Sequence, residues 1–204
     1  PFEAPEEDAL ARAVQAADLL TDTGVPVSLA LIPTTAQLYA DILPDGAPND
    51  DQQAVINSAY AQTALDTIDL SSTLTAHSSE YIFYRTDHHW TQLGAYYAYT
   101  AFCEAAGFEA VPLEDFETGR YDNFVGSMYT FTKGYPQSDV LKNNPDYLDY
   151  YLPIYETHAR YYADATLQNG VPVSVVYTKM DASVSNKYLC FIGGDTPVCI
   201  IESE

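Results

Sequence analysis

Apolar residues recur at helical spacing through residues 9–20, behind the acidic opening Glu6-Glu7-Asp8, and the run gives out near Gly24-Val25-Pro26. Acids in a first turn suit the positive end of a helix dipole, and a Gly-Pro pair is a natural stop, so the pattern predicts a helix. Residues 27–32, Val-Ser-Leu-Ala-Leu-Ile, are almost continuously apolar and are closed by Pro33. A short run of that kind predicts a strand covered on both faces, as in a parallel sheet. Residues 50–62 read as a second amphipathic helix, leading to a short strand around residues 67–70 and a helical turn through Leu74. A third helix is predicted over residues 92–106, capped by Thr91 and stopped by Gly107. Alternation of β and α predicts an α/β fold: a parallel sheet flanked by helices, with the strand ends carrying any site. Thr34 and Thr35 follow the first strand directly and are candidate substrate-binding groups there, although both also suit a helix cap.

From residue 108 to residue 185 the texture changes to tyrosine, asparagine and proline with few long apolar runs. Strand-like β-branched and aromatic content at residues 147–152, 159–162 and 171–177 predicts a smaller β-rich inserted lobe. Residues 188–192 and 197–201 are expected to return as strands of the main sheet. The domain reading is therefore 1–107 for the α/β core, 108–185 for the lobe and 186–204 for the returning strands. The tyrosines suit either packing or stacking on sugar rings.

Charge narrows the functions available. Eight Lys and Arg against 29 Asp and Glu give a formal charge of −21, which repels nucleic acid and anionic membrane surfaces. Cys103, Cys190 and Cys199 are odd in number and lack Cys-x-x-Cys spacing, so neither a zinc site nor a disulfide framework is signalled. No apolar run approaches the roughly 18–20 residues of a membrane span. The chain starts at Pro1 without an initiator methionine, and a removed leading segment is expected.

The candidate chemistry lies in Phe83-Tyr84-Arg85-Thr86-Asp87-His88-His89-Trp90-Thr91, which holds two of four histidines and the only tryptophan. If the segment is extended, Asp87 and His89 share a face with Cβ atoms about 6–7 Å apart, and His88 points the other way. A carboxylate can then hold one imidazole nitrogen while the other takes a proton from a hydroxyl, the general-base half of a Ser-His-Asp arrangement. A helix starting just after it would offer free N–H groups to an anionic substrate group. A capped helix start with a hydrogen-bonded histidine explains the same spacing, and spacing alone leaves both readings open. Arg85 suits either a substrate anion or an ion pair, and Trp90 suits a core anchor.

These residues also carry a resemblance. Thr86-Asp87-His88-His89-Trp90-Thr91, followed by Leu93-Gly94-Ala95-Tyr96-Tyr97-Ala98-Tyr99, resembles the signature of the DHHW protein family of Gram-positive bacteria. Residues 31–39 with Leu43-Pro44 look like that family's strand-to-loop block, and residues 123–129 and 191–195 match two later blocks. The family is in turn remotely similar to the alginate O-acetylation proteins, whose Thr-Asp-x-His-Trp motif belongs to a rearranged SGNH hydrolase-like fold. The resemblance implies Asp87 as orienting acid and His89 as base of a serine-dependent O-acyl esterase or acetyltransferase. Its substrate would be a cell-surface glycan or an acylated small molecule, and the protein would be extracellular or anchored at the cell surface through the removed N-terminal part.

In the resembling proteins the nucleophile follows the Gly-Gly block, in a segment like Lys-Asp-Ser-Tyr, whereas this sequence ends at Glu204. The C-terminal part of the fold and the serine are thus expected to be missing, leaving the chain inactive by itself. Asp195 stands where the family reads Gly-Gly-Asn, and an acid there would repel a developing oxyanion. Ser127 is the one internal serine that follows a glycine in a shared block; a turn explains it as well. Two histidines beside an aspartate also suggest a metal, as in the DHH phosphoesterases, but no His-x-x-x-Asp-x-Asp pattern occurs and His77 and His158 are isolated. No metal or other cofactor is therefore expected, and a metal-dependent phosphoesterase is a minor alternative. The competing class is a non-catalytic module binding surface carbohydrate or protein.

Overall fold

The computed structural model describes residues 2–203. The chain divides into two compact units, the first comprising Pro1–Phe83 and Leu93–Ala110, the second Tyr84–Gln92 and Val111–Glu204.

The first unit follows the hydrophobic pattern. Helix α1 (Glu7–Asp18) buries Val14, strand β1 (Ser28–Ala30) follows, then the short helix α2 (Thr35–Leu38) and helix α3 (Gln52–Gln62). Strand β2 (Asp66–Ile68) runs parallel to β1 with Leu29 opposite Thr67. The expected parallel sheet thus has two strands of three residues among the described residues. Two aspartates set helix starts. Asp51 accepts from the N–H of Ala54 at α3, and Asp69 accepts from the N–H and hydroxyl of Ser72 at α4 (Leu70–Ala76). Tyr60 ties strand to helix: its hydroxyl donates to Ile68 O at 2.8 Å and accepts from Leu31 N–H at 2.8 Å. Helix α5 (Gln92–Ala106) ends as expected at Gly107, whose φ of 73° is a left-handed stop that only glycine adopts freely. Ile56, Ala59, Ile68, Leu70, Leu74, Ile82 and Cys103 are buried in this unit. No helix among the described residues is long and apolar enough to cross a membrane.

The second unit is built on antiparallel pairs. Strand β3 (Thr118–Phe124) pairs with β4 (Asp146–Tyr151), with an irregularity between Tyr121 and Phe124 where Asn123 takes φ 60°. Two short helices intervene, α6 (Ser127–Thr132) and α7 (Ser138–Lys142). In β4 the alternation is strict: Asp146, Leu148 and Tyr150 are buried and the residues between them are partly exposed. A carboxylate therefore occupies a core position in the strand's buried row.

Strand β5 (Thr157–Tyr162) lies between β6 (Val171–Val173) and β7 (Val198–Ser203), antiparallel to both. The terminal strand, expected in the parallel sheet, pairs along its whole length with β5 instead, from Thr157 opposite Ser203 to Tyr162 opposite Val198. Residues 188–192, expected as a strand, form a 3-10 turn over Lys187–Cys190. The local cause is Asn186, whose side chain accepts from Tyr188 N–H at 3.1 Å, while the Lys187 ammonium donates to Val184 O at 2.6 Å. All three cysteines are free; Cys190 is fully buried, and burial pushes its thiol up to about 12, so it packs as an inert apolar residue.

Candidate active site

The segment around Asp87 is held by a second acid. Asp146 accepts from Arg85 N–H and Arg85 Nε at 3.1 Å each, from Thr86 N–H at 2.7 Å and from Thr86 Oγ1 at 2.6 Å. Thr86 Oγ1 in turn accepts from Gly126 N–H at 2.9 Å, and Thr86 O accepts from Met128 N–H at 3.0 Å. Thr86 and Asp146 are both fully buried. This lattice joins the Thr86-Asp87 peptide to the turn before α6 and to the start of β4.

The chain is bent through residues 85–89 rather than extended. Asp87 Oδ1 reaches forward to His89 N–H at 3.1 Å, a local side-chain-to-backbone bond of the type that makes turns, and Tyr84 N–H closes the bend on His89 O at 3.3 Å. Asp87 and His89 still meet: His89 Nδ1 lies 2.6 Å from Asp87 Oδ1. Two further donors hold the same carboxylate, Tyr188 OH to Oδ1 at 3.0 Å and Ser127 N–H to Oδ2 at 2.7 Å. Three of the four bonds converge on Oδ1 and one on Oδ2, so Oδ1 is fully engaged.

Burial by itself pushes the Asp87 carboxyl up, but the bonds from Ser127 and His89 outweigh it and hold the group down at about 2. An ionised Asp87 fixes the proton of His89 on Nδ1 and leaves the Nε2 lone pair free. Among the described residues nothing is hydrogen-bonded to that nitrogen, and the His89 side chain is 53% exposed while that of Asp87 is 3%. Tyr188 stands edge-on to the His89 ring, 5.6 Å between centroids, and Phe124 stacks edge-on with both Tyr84 and Tyr188 beneath. Burial and the Asp87 charge keep Tyr188 far above the usual phenol range, so it serves only as a neutral donor.

His88 is the correction to the extended reading. Because the chain bends, its ring lies 3.8 Å from that of His89, and its Nδ1 sits 2.6 Å from Ser127 Oγ. The Ser127 hydroxyl thus lies on His88, while the backbone N–H of the same residue serves Asp87. Asp87, His88 and His89 bring ligand-type atoms within 4.8 Å of one another, yet a cation on Asp87 Oδ1 would have to displace the three donors already on that oxygen.

Arg85, an expected anion ligand, directs Nε to Asp146 and an Nη to Pro145 O at 2.9 Å. Its guanidinium serves the scaffold. Thr34 and Thr35 belong to the first unit, whereas Asp87 and His89 belong to the second. Thr34 directs its N–H and hydroxyl to Gln52 Oε1, at 2.8 and 3.3 Å, and precedes α2 without a side-chain cap bond. Trp90, expected in the core, is half-exposed.

Two cavities share His89, Asn186 and Tyr188 on their walls. One of about 590 Å³ takes in Asp87, Gly126, Ser127 and Lys133; the other, of about 440 Å³, takes in Trp90, Gln92, Phe191 and Asp195. The backbone between Phe191 and Asp195 is left-handed at three successive residues, Ile192 (φ 46°), Gly193 (82°) and Gly194 (109°). A β-branched residue in that region is strained, and the bond from Ile192 N–H to Val175 O at 3.0 Å helps hold it there.

Gly126 allows the closest approach at the site. A Cβ on it would overlap Asp87 Cβ and Oδ2. Gly126→Ala is expected to lower unfolding stability by about 1–3 kcal/mol, as overpacking does, and to loosen the grip on Asp87. Thermal melts with the imidazole proton resonances of His89 check it; an unshifted melt with unchanged His89 resonances would refute the close contact.

The model of the DHHW protein family matches residues 17–203. The chain belongs to the DHHW family. A crystal structure of a DHHW family protein from Eubacterium siraeum DSM 15702 is similar at 33% identity and a TM-score of 0.78, over 95% of this chain and 64% of that one. The chain thus spans less than two-thirds of the length of that relative. The O-acetyltransferase domain of Pseudomonas putida AlgJ is similar at 26% identity and a TM-score of 0.56, over 72% of this chain and 56% of that one. Bacillus cereus PatB1, solved with a sulfonyl adduct, shares the fold at 17% identity and a TM-score of 0.69, over 96% of this chain and 67% of that one. A search of curated protein sequences finds no match. The DHHW chain therefore has the mixed α/β, SGNH-like fold of these structures.

Proposed function

We propose that this DHHW protein supplies the acid–base half of a serine-dependent O-acyl esterase or acetyltransferase acting outside the cell on a surface carbohydrate. The observation that carries the reading is the His89 ring, half-exposed on the wall of two cavities and held through Nδ1 by a buried, four-fold hydrogen-bonded Asp87. In this reading His89 Nε2 takes the proton of the nucleophilic hydroxyl as the acyl–oxygen bond is attacked, then returns it to the departing alkoxide. Asp87 keeps the tautomer and stabilises the imidazolium. Ser127 lies on His88, so the nucleophile is assigned to a serine in the further length that the relatives possess.

The whole gene product is the material for the test. It is expected to turn over p-nitrophenyl acetate, or to pass its acetyl group to a sugar hydroxyl, and to lose that activity after treatment with a sulfonyl fluoride. Absence of both turnover and sulfonyl labelling would defeat the proposal.

A further inference from the structure

The two cavities flanking His89 differ in charge: the Ser127 side sets a cation, Lys133, against the Asp87 carboxylate, whereas the Trp90 side holds a carboxylate and no cation. On the Ser127 side the wall includes Lys133, for which no ion-pair partner occurs among the described residues. On the Trp90 side the wall has a single formal charge, the Asp195 carboxylate, and no lysine or arginine. Asp195 is exposed and has no hydrogen-bond or ion-pair partner among the described residues. Trp90, Tyr188 and Phe191 give the same wall aromatic surface, and Gln92 and Asn186 add amide groups that both donate and accept. Aromatic faces ringed by amides and one acceptor-only carboxylate suit the apolar faces and hydroxyl edges of a sugar ring. A volume of about 440 Å³ is ample for one.

Resting on the acyl-transfer reading of His89, we propose that the Trp90 cavity is the acceptor subsite and takes a non-acidic sugar, with Asp195 as the residue that turns away carboxylated sugars. The strained turn at Ile192 and its two glycines sets this wall and brings Asp195 to it. Discrimination comes from repulsion: a uronate carboxylate entering here meets Asp195 and no cation, whereas a neutral or amine-bearing ring meets an acceptor for its O–H or N–H groups. An anionic group on a substrate is accommodated only on the opposite side, beside Lys133.

Binding reads this out without turnover, so its failure is separate from failure of the acyl chemistry. The 204-residue protein is titrated calorimetrically, at about 0.15 M salt, with tetramers of N-acetylglucosamine, glucosamine and galacturonate. The two non-acidic tetramers are expected to bind, and the galacturonate tetramer to bind about fivefold more weakly, a factor ordinary for one exposed charge. Asp195→Asn should bring galacturonate binding to within twofold of the N-acetylglucosamine tetramer measured on the same variant. Asp45→Asn, which removes one charge from an exposed position in the first unit, should restore nothing and so separates local from bulk repulsion. Trp90→Ala, with an unchanged melting temperature, should abolish binding of all three. Galacturonate bound as tightly as the neutral tetramer, an Asp195→Asn protein with unaltered preference, or binding of none of the three would each overturn the assignment.

Discussion

Asp87→Asn in the whole gene product is expected to lower kcat for acetyl-ester turnover by about 10⁴ with KM nearly unchanged, the loss the equivalent change produces in a serine triad. The size follows from the four bonds on the carboxylate. Asp87 accepts from Ser127 N–H, His89 N–H, Tyr188 OH and His89 Nδ1, and an asparagine must turn its NH2 toward one of these donors. If the NH2 faces Nδ1, the imidazole proton moves to Nε2 and the base is lost. If it faces Ser127, a buried donor is left unpaired at a cost of about 1–3 kcal/mol. His89→Ala should lose at least as much kcat, and the double variant little more than either single, since the two residues act as a unit. Asp87→Asn retaining a tenth or more of the parent kcat would mean that the pair is structural.

The same carboxylate makes a pH prediction for the 204-residue protein. Its folded-state value of about 2 lies below the ordinary 3.8, so the folded state binds its proton less readily than the unfolded chain does. The stabilisation, on the order of 2 kcal/mol, is complete above about pH 4 and is lost as pH falls from there toward 2. Acid unfolding monitored by near-ultraviolet circular dichroism should therefore be shallower for Asp87→Asn across that window. Parallel profiles for the two proteins would remove this group from the acid transition.

The elements most legible in the sequence were those fixed by local chemistry. Helix α5 was readable to the residue because Gly107 stops it, and the acid–imidazole pair was readable because two side chains two positions apart can meet in either an extended or a bent chain. The placement of His88 was not, since the bend depends on Asp87 capturing the backbone N–H of His89 and on Thr86 being pinned from residue 146, sixty positions away. Tyr188 escaped because residues 188–192 read as an apolar strand. The signal for the turn was Asn186, a side chain that competes with strand pairing. Strand β7 was assigned to the wrong sheet because a short apolar run does not say which partner it prefers. Asp146 had a signal of its own: residues 146, 148 and 150 share one face of an alternating strand, and an acid in the row with Leu148 and Tyr150 has to be buried with partners.

That acid carries the other large effect. Asp146→Ala is expected to lower the unfolding free energy of the 204-residue protein by about 3–5 kcal/mol, the cost of breaking a buried charged network. Its side chain is wholly buried and accepts from two backbone N–H groups, one hydroxyl and the Arg85 guanidinium. Truncation leaves Thr86 N–H and Thr86 Oγ1 buried without their acceptor, and the arginine, at 58% side-chain exposure, is the only one of these partners able to turn to water. Against a typical total of about 5–15 kcal/mol this is a large fraction, and at about 2–4 °C per kcal/mol it lowers the melting temperature by roughly 6–20 °C. Asp146→Asn should fall between the two, since one oxygen still accepts while its NH2 confronts a donor. Because Thr86 also receives Gly126 N–H, the loss propagates to the turn that presents Ser127 N–H to Asp87. Well below its melting point, the Asp146→Ala whole gene product should therefore still lose turnover, with His89 amide exchange quickened. A melting temperature within about 3 °C of the parent would show that the lattice around Thr86 stands without its acid.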